Sequence, residues 1–177
     1  MNKDFFKNAA YYGLLMTAAF VLVDLFFYVF DMTQMGMFVG LLIILLFLGL
    51  YLVAFIWGGR TYRNNFMDGH INYGKAFIFC LSMALTCAIA MFVYHLLFYF
   101  VFDTERAMHD AQKGVEMIQN NPYIPEDKKQ GAINDLALVS KTKTVLKSLQ
   151  SSVIFGIIFS AIAALFVRKK EKFTEVF

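Results

Sequence analysis

The feature that most constrains this 177-residue chain is a set of four apolar stretches of about twenty residues, each with almost no charge. An α-helix rises 1.5 Å per residue, so ~20 residues cross a bilayer core about 30 Å thick. Lipid offers backbone groups no outside partner, and four segments are too few to close a barrel. We therefore predict an all-α fold, a bundle of four transmembrane helices. The predicted spans are residues 9–30, 35–57, 76–102 and 149–167.

The composition excludes several other classes of protein. Apolar residues make up 59% of the chain and charged residues 16%, against roughly 45–50% and 25% in soluble domains. The two cysteines are too few for a disulfide scaffold, and a disordered chain would be far less hydrophobic. A net charge of +3, concentrated near the ends of the spans, argues against nucleic-acid binding. The length predicts one membrane domain over residues 1–177.

The distribution of Lys and Arg predicts the orientation of the spans. Basic residues flank the first span at the N-terminus, occupy the 58–75 connection and follow the fourth span, whereas the 31–34 turn has none. By the positive-inside rule, both termini face the cytoplasm. The long 104–148 connection is then extracytoplasmic, since long segments cross the membrane regardless of their charge.

The 104–148 connection carries the pattern of two amphipathic helices. Residues 120–122 (Asn-Asn-Pro) end the first helix, and Pro125 opens the second. Because no Gly or Pro lies between Ala132 and Ser152, we predict that the second helix continues into span four. We expect an extracytoplasmic helical hairpin between helices three and four, which is either a structural arm or a docking surface for a partner. The apolar stripe of its first helix is Ala107, Ala111, Val115 and Ile118.

Asp24 and His95 are the ionisable side chains that stand out inside the spans. A carboxylate in hydrocarbon costs several kcal/mol unless it is partnered, protonated or hydrated. The two residues have comparable depth in spans that run in the same direction, so we predict an intramembrane polar pair. Such a pair is either a hydrogen bond that holds helices together or part of a proton path. Transport is disfavoured because the inner half of every span lacks ionisable groups and no span contains proline.

Two further sets of residues have a predicted role. Arg60, Arg63 and Lys75 are candidates for binding a lipid phosphate, including a polyprenyl phosphate, although positive-inside anchoring alone accounts for their charge. Small residues at four-residue spacing permit close helix packing, within the bundle or against a partner subunit. These packing candidates are Gly36, Gly40, Gly156, Ser160 and Ala164.

The sequence predicts no catalytic chemistry. Cys80 and Cys87 lie about 10 Å apart along one helix, too far to form a disulfide, and are expected to be core thiols. His70, His95 and His109 are scattered without metal-ligand spacing, so neither a metal nor a cofactor is predicted. Phosphate-binding and nucleophile motifs are likewise missing from the sequence. We expect a protein that is not an enzyme.

The connection between spans two and three carries a recognisable pattern, Arg60-x-Tyr62-Arg63 followed by 69–77 (Gly-x-Ile-x-Tyr-Gly-Lys-Ala-Phe). This pattern resembles the signature of a Bacteroidota family of small four-span membrane proteins that is catalogued as a domain of unknown function. The resemblance implies a location in the bacterial inner membrane and a gene beside that of a polyprenyl-phosphate glycosyltransferase, which would suit an accessory role. It supplies no catalytic residues.

Three functions follow from these observations. The first is a non-enzymatic accessory or scaffold protein that supports a membrane glycosyltransferase or another envelope complex. The second is a protein that binds an isoprenoid phosphate or another anionic lipid through Arg60, Arg63 and Lys75. The third is a small proton-coupled transporter that uses Asp24 and His95.

Overall fold

The chain is helical over nearly all of residues 3–30, 36–137 and 140–169, which are the residues that the computed structural model describes. A π-helical turn, Phe98–Phe102, continues the third helix. Within these ranges no strand occurs, and the antiparallel bridge of Ile71 with Lys169 is isolated. The α-helices are α1 (Lys3–Val29), α2 (Gly36–Phe66), α3 (Tyr73–Leu97), α4 (Arg106–Gln119), α5 (Glu126–Ala137) and α6 (Lys141–Val167). The all-α prediction is confirmed.

Four of these helices, α1, α2, α3 and α6, are long and apolar enough to span a membrane. Large apolar side chains point outward from them, as at Leu22, Val53 and Ile89, which are 69%, 65% and 63% exposed. Such surfaces are costly in water and favourable in lipid. The chain is a multi-pass membrane protein.

The first of two compact units comprises Met1–Met91 and Ser152–Phe177. Aromatic side chains at the start of α1, in α2 and in α3 form part of its core, where Phe5, Phe55 and Phe79 are almost fully buried. Tyr62 stacks on Phe79 with ring centres 4.2 Å apart. Aromatic contacts of this kind join α1, α2 and α3 in one core.

The second compact unit is Phe92–Ser151, a division that the sequence did not indicate. Within 104–148 the structure has α4 and α5, which pack against each other. The two helices approach closely at Gly114, where a Cβ atom would lie 3.2 Å from Leu136 Cδ1. Among the described residues of this unit, the buried apolar side chains are those of Phe98, Ala107 and Val145, at 7%, 3% and 1% exposure.

Helix α2 continues beyond residue 57, the predicted end of span two, as far as Phe66. Gly58 and Gly59 lie inside this helix and permit close packing. A Cβ atom on Gly58 would lie 2.7 Å from Met83 Cε, and one on Gly59 would lie 2.7 Å from Val167 Cγ2. The tight turn before α3 uses Asp68 and Gly69, both with positive φ.

The prediction that α5 runs without a break into span four is wrong. Helix α5 ends at Ala137, and α6 begins at Lys141 after the non-helical Ser140. The Ser140 hydroxyl accepts a hydrogen bond of 3.3 Å from the backbone N–H of Lys143, which is an N-cap contact. Serine competes with helix continuation in this way without any Gly or Pro. The predicted 31–34 turn lies outside the described residues.

Candidate functional site

Arg60 and Arg63 project from the last turns of α2 toward the end of α6. The Arg63 guanidinium donates a hydrogen bond of 2.8 Å to the Val167 carbonyl, and Arg60 Nε donates one of 3.4 Å to the Phe166 carbonyl. The last carbonyls of a helix lack intrahelical donors and carry partial negative charge. The two arginines therefore cap α6, and part of their donor capacity is engaged within the chain.

Lys75 lines a cavity of about 420 Å³ that is separate from these capping contacts. Phe5, Tyr62 and Ile71 form its buried apolar floor, and Asp4 contributes a carboxylate. The backbone N–H of Lys75 donates to Asn72 Oδ1 at 2.8 Å, which caps the start of α3. The charged groups of Lys75 and Asp4 beside a buried apolar floor suit the polar head and apolar tail of an amphiphile.

Asp24 lies in α1 within the first unit, and its side chain is partly exposed. His95 lies in the last turn of α3 within the second unit, where its Nδ1 is 2.8 Å from the Ser148 hydroxyl oxygen of α6. This hydrogen bond between side chains of α3 and α6 is one that the sequence gave no reason to select. The predicted pairing of Asp24 with His95 stays a prediction.

The small residues of α6 lie against the rest of the first unit. A Cβ atom built on Gly156 would lie 2.9 Å from the Ala84 side chain, and Ser160 and Ala164 have no exposed surface. Gly40 differs, since a Cβ atom there would meet no described atom within 4 Å. The surroundings of Gly36 lie outside what the structure describes.

Gly13 is a packing position that the sequence analysis missed. A Cβ atom there would lie 2.7 Å from the Met83 carbonyl oxygen and 2.9 Å from Thr86 Cβ. A single glycine in an apolar helix has no partner at small-residue spacing to indicate that its backbone approaches another helix. The double glycine at 58–59 stands out in the sequence, but paired glycines also occur in loops and so do not by themselves indicate helix packing.

The second unit contains a groove of about 540 Å³ between α4, α5 and the beginning of α6. Helix α6 supplies two ammonium groups and three hydroxyls, whereas α4 and α5 supply small or apolar side chains and one carboxylate. That carboxylate, of Asp110, forms an ion pair with Arg106, its Oδ1 lying 3.0 Å from Arg106 Nε. The lining residues are Ala107, Asp110, Ala111, Leu136, Lys143, Thr144, Lys147, Ser148 and Ser151.

The connection between α4 and α5 presents Tyr123 with 88% of its surface exposed. Asn121 Oδ1 accepts a hydrogen bond of 2.9 Å from the Tyr123 backbone N–H, an Asx turn that fixes the local backbone. Pro122 and Pro125 flank the tyrosine and restrict φ on both sides. The Asx turn and the two prolines thus restrict the backbone around the exposed ring.

Lys129 joins the two ends of this connection. Its Nζ donates to the Gln119 carbonyl at 3.1 Å, across from α5 to the end of α4, and lies 2.6 Å from Glu126 Oε1. The first contact satisfies one of the terminal carbonyls of α4.

The part of the chain that the structure describes holds no group of three or more His, Cys, Asp or Glu side chains arranged to bind a metal. The family model described as "Protein of unknown function (DUF4199)" matches residues 11–169 of the chain. No curated protein and no solved structure matches the chain.

Proposed function

We propose that this chain, which belongs to the DUF4199 family of proteins of unknown function, is a non-enzymatic accessory protein of a bacterial inner-membrane complex. Its termini face the cytoplasm, and its second unit, with α4 and α5 as an extracytoplasmic hairpin, docks the partner. The positive-inside distribution of Lys and Arg supports this orientation. Bacteroidota origin and a polyprenyl-phosphate glycosyltransferase as the partner belong to the same proposal.

The observation that carries the proposal is the presentation of Tyr123. Tyrosine is enriched among residues that dominate binding energy, because its ring buries a large area at a low cost in conformational entropy. The Asx turn and the contact from Lys129 to Gln119 fix the backbone before any partner binds. A preorganised aromatic anchor loses less entropy on association than a flexible one.

Met117 adds an apolar side chain in the last turn of α4, and it is 51% exposed. Methionine adapts its shape to a partner surface. Charged side chains of both signs, Glu126, Asp127 and Lys128, begin α5 and are exposed. An aromatic anchor with apolar and charged neighbours along the chain matches the core-and-rim composition of protein interfaces.

Site-specific photo-cross-linking in the native membrane tests this role. One variant replaces Tyr123 with p-benzoylphenylalanine, and a matched variant replaces Gln119, which is also exposed but lies on the final turn of α4. We expect one dominant protein adduct from position 123 and a much weaker one from position 119. Equal, diffuse adducts from both positions would contradict a specific dock.

Lipid binding is the second candidate, and the cavity beside Lys75 favours it. If Arg60, Arg63 and Lys75 together hold a lipid phosphate, replacing all three by Gln removes an anionic lipid that co-purifies with the wild-type protein. Comparing the lipid retained by Lys75→Gln with that retained by Arg60→Gln and by Arg63→Gln shows whether the cavity or the capping residues bind the lipid. Retention of the lipid in the triple variant would end this candidate.

A further inference from the structure

We propose that the groove of the second unit binds the phosphate headgroup of an anionic membrane lipid through Lys143 and Lys147 of α6. Both lysines line the groove of about 540 Å³. They are four residues apart and therefore lie on the same face of the helix. This site is distinct from the basic residues at the other end of α6 and does not depend on the docking role of Tyr123.

The charges at the start of α6 are unfavourable without an anion. The first turn of α6 contains no acidic residue, although helix N-termini carry partial positive charge and usually attract carboxylates. Lys141, Lys143 and Lys147 instead add three positive charges within two turns. A phosphate in the groove would relieve the repulsion between Lys143 and Lys147 and the repulsion of both by the helix dipole.

Hydroxyl groups complete the polar wall. Ser148 and Ser151 line the groove from the same helix, and the Ser148 hydroxyl lies 2.8 Å from Nδ1 of His95. When Nδ1 carries the proton, it donates to Ser148, and the serine O–H is then free to donate to a phosphate oxygen. Among the described lining residues the carboxylate is that of Asp110, which forms an ion pair with Arg106.

The position of the lysines along the chain favours a lipid over a free phosphate. Lys147 and Lys143 precede the predicted span, residues 149–167, by two and six residues, or about 3 and 9 Å along the helix axis. The headgroup layer on each side of a bilayer is roughly 5–8 Å thick. Lys147 therefore lies within the headgroup layer, and Lys143 lies at its outer edge, where its flexible stem lets the ammonium group reach the lipid phosphates. The small and apolar residues of α4 and α5 supply the other wall of the groove.

The test measures lipid retention by the full-length protein in phosphatidylcholine nanodiscs that contain a minor fraction of phosphatidylglycerol. Native mass spectrometry counts the phosphatidylglycerol molecules that stay bound to the wild type, to Lys147→Gln and to the double variant Lys143→Gln with Lys147→Gln. Lys128→Gln is the matched control, because it removes an exposed lysine of α5 that does not line the groove. We expect about tenfold weaker binding for each lysine lost from the groove and no change for the control.

Three results would overturn the proposal. The first is that the wild type retains phosphatidylglycerol no better than phosphatidylcholine. The second is that Lys128→Gln weakens binding as much as Lys147→Gln, which would mean that only total charge matters. The third is that inorganic phosphate displaces the bound phosphatidylglycerol from the wild type, which would identify a free-phosphate site instead. Retention that depends on both groove lysines and resists inorganic phosphate supports a lipid site.

Discussion

The Arg63 guanidinium donates a hydrogen bond of 2.8 Å to the backbone carbonyl of Val167, which joins the end of α2 to the end of α6. The adjoining antiparallel bridge, with hydrogen bonds of 3.0 and 2.9 Å between Ile71 and Lys169, ties the turn before α3 to the residues after α6. Arg60 and Arg63, two of the candidates for lipid binding, thus also hold together one end of the first unit.

Arg63→Gln is expected to destabilise the first unit by about 1.5–3 kcal/mol, because the substitution removes a charged donor from a partly buried carbonyl. Thermal unfolding of the detergent-purified protein measures this loss as a lower midpoint. The control is Arg60→Gln, whose contact is longer, at 3.4 Å, and exposed, so its effect is much smaller. Equal losses in the two variants would contradict the capping role of Arg63.

Gly13→Ala is expected to destabilise the protein by about 1–3 kcal/mol through overpacking. The added methyl group would lie 2.7 Å from the Met83 carbonyl oxygen, a backbone atom that cannot move without shifting α3. Gly40→Ala has room and replaces a helical glycine, so it is expected to stabilise by up to about 1 kcal/mol. Equilibrium unfolding of both variants checks the sign, and a loss at Gly40 as large as that at Gly13 would refute the packing difference.

Cysteine labelling in intact cells tests the predicted orientation. In a background with Cys80 and Cys87 replaced by Ala, Gln119→Cys should react with a membrane-impermeant maleimide from outside. Asn65→Cys, exposed at the end of α2, should react only after the membrane is permeabilised. The reverse pattern would place α4 and α5 in the cytoplasm.

The accessory role predicts no proton flux through Asp24 and His95. Proteoliposomes containing the wild-type chain should show the same pH-dependent leak as empty liposomes, and Asp24→Asn or His95→Gln should change nothing. A flux above that of empty liposomes that Asp24→Asn abolishes would instead favour the transport function. Ser148→Ala serves as a further control, since it removes the described hydroxyl partner of His95 without removing an ionisable group.

The four spans were predictable because each needs only length and hydrophobicity, and these are local properties of the sequence. The helix ends were harder. By propensity, Gly58 and Gly59 indicate a loop, but α2 continues through them. Met83 and Val167 occupy the space that a side chain would fill, so these helical positions require glycine. Ser140 caps the start of α6 through one side-chain hydrogen bond, which no periodicity in the sequence reveals.

The candidate sites were predictable in residue type and less so in partner. Charge alone marked Arg60 and Arg63, but their acceptors are carbonyls about a hundred positions away in the chain, which only the fold brings close. Ser148 and His95 meet for the same reason. Tyr123 belongs to no motif, and its proposed docking role rests on an exposure that the sequence does not show.

The most direct test of the accessory role is the dissociation constant between the full-length chain and the partner that cross-links at position 123. It compares the wild type with Tyr123→Ala and, as a matched control, Gln119→Ala, in detergent. An aromatic anchor contributes about 2 kcal/mol or more at an interface. Tyr123→Ala should therefore weaken binding by about thirtyfold or more while Gln119→Ala leaves it unchanged. An unchanged dissociation constant for Tyr123→Ala would contradict the account.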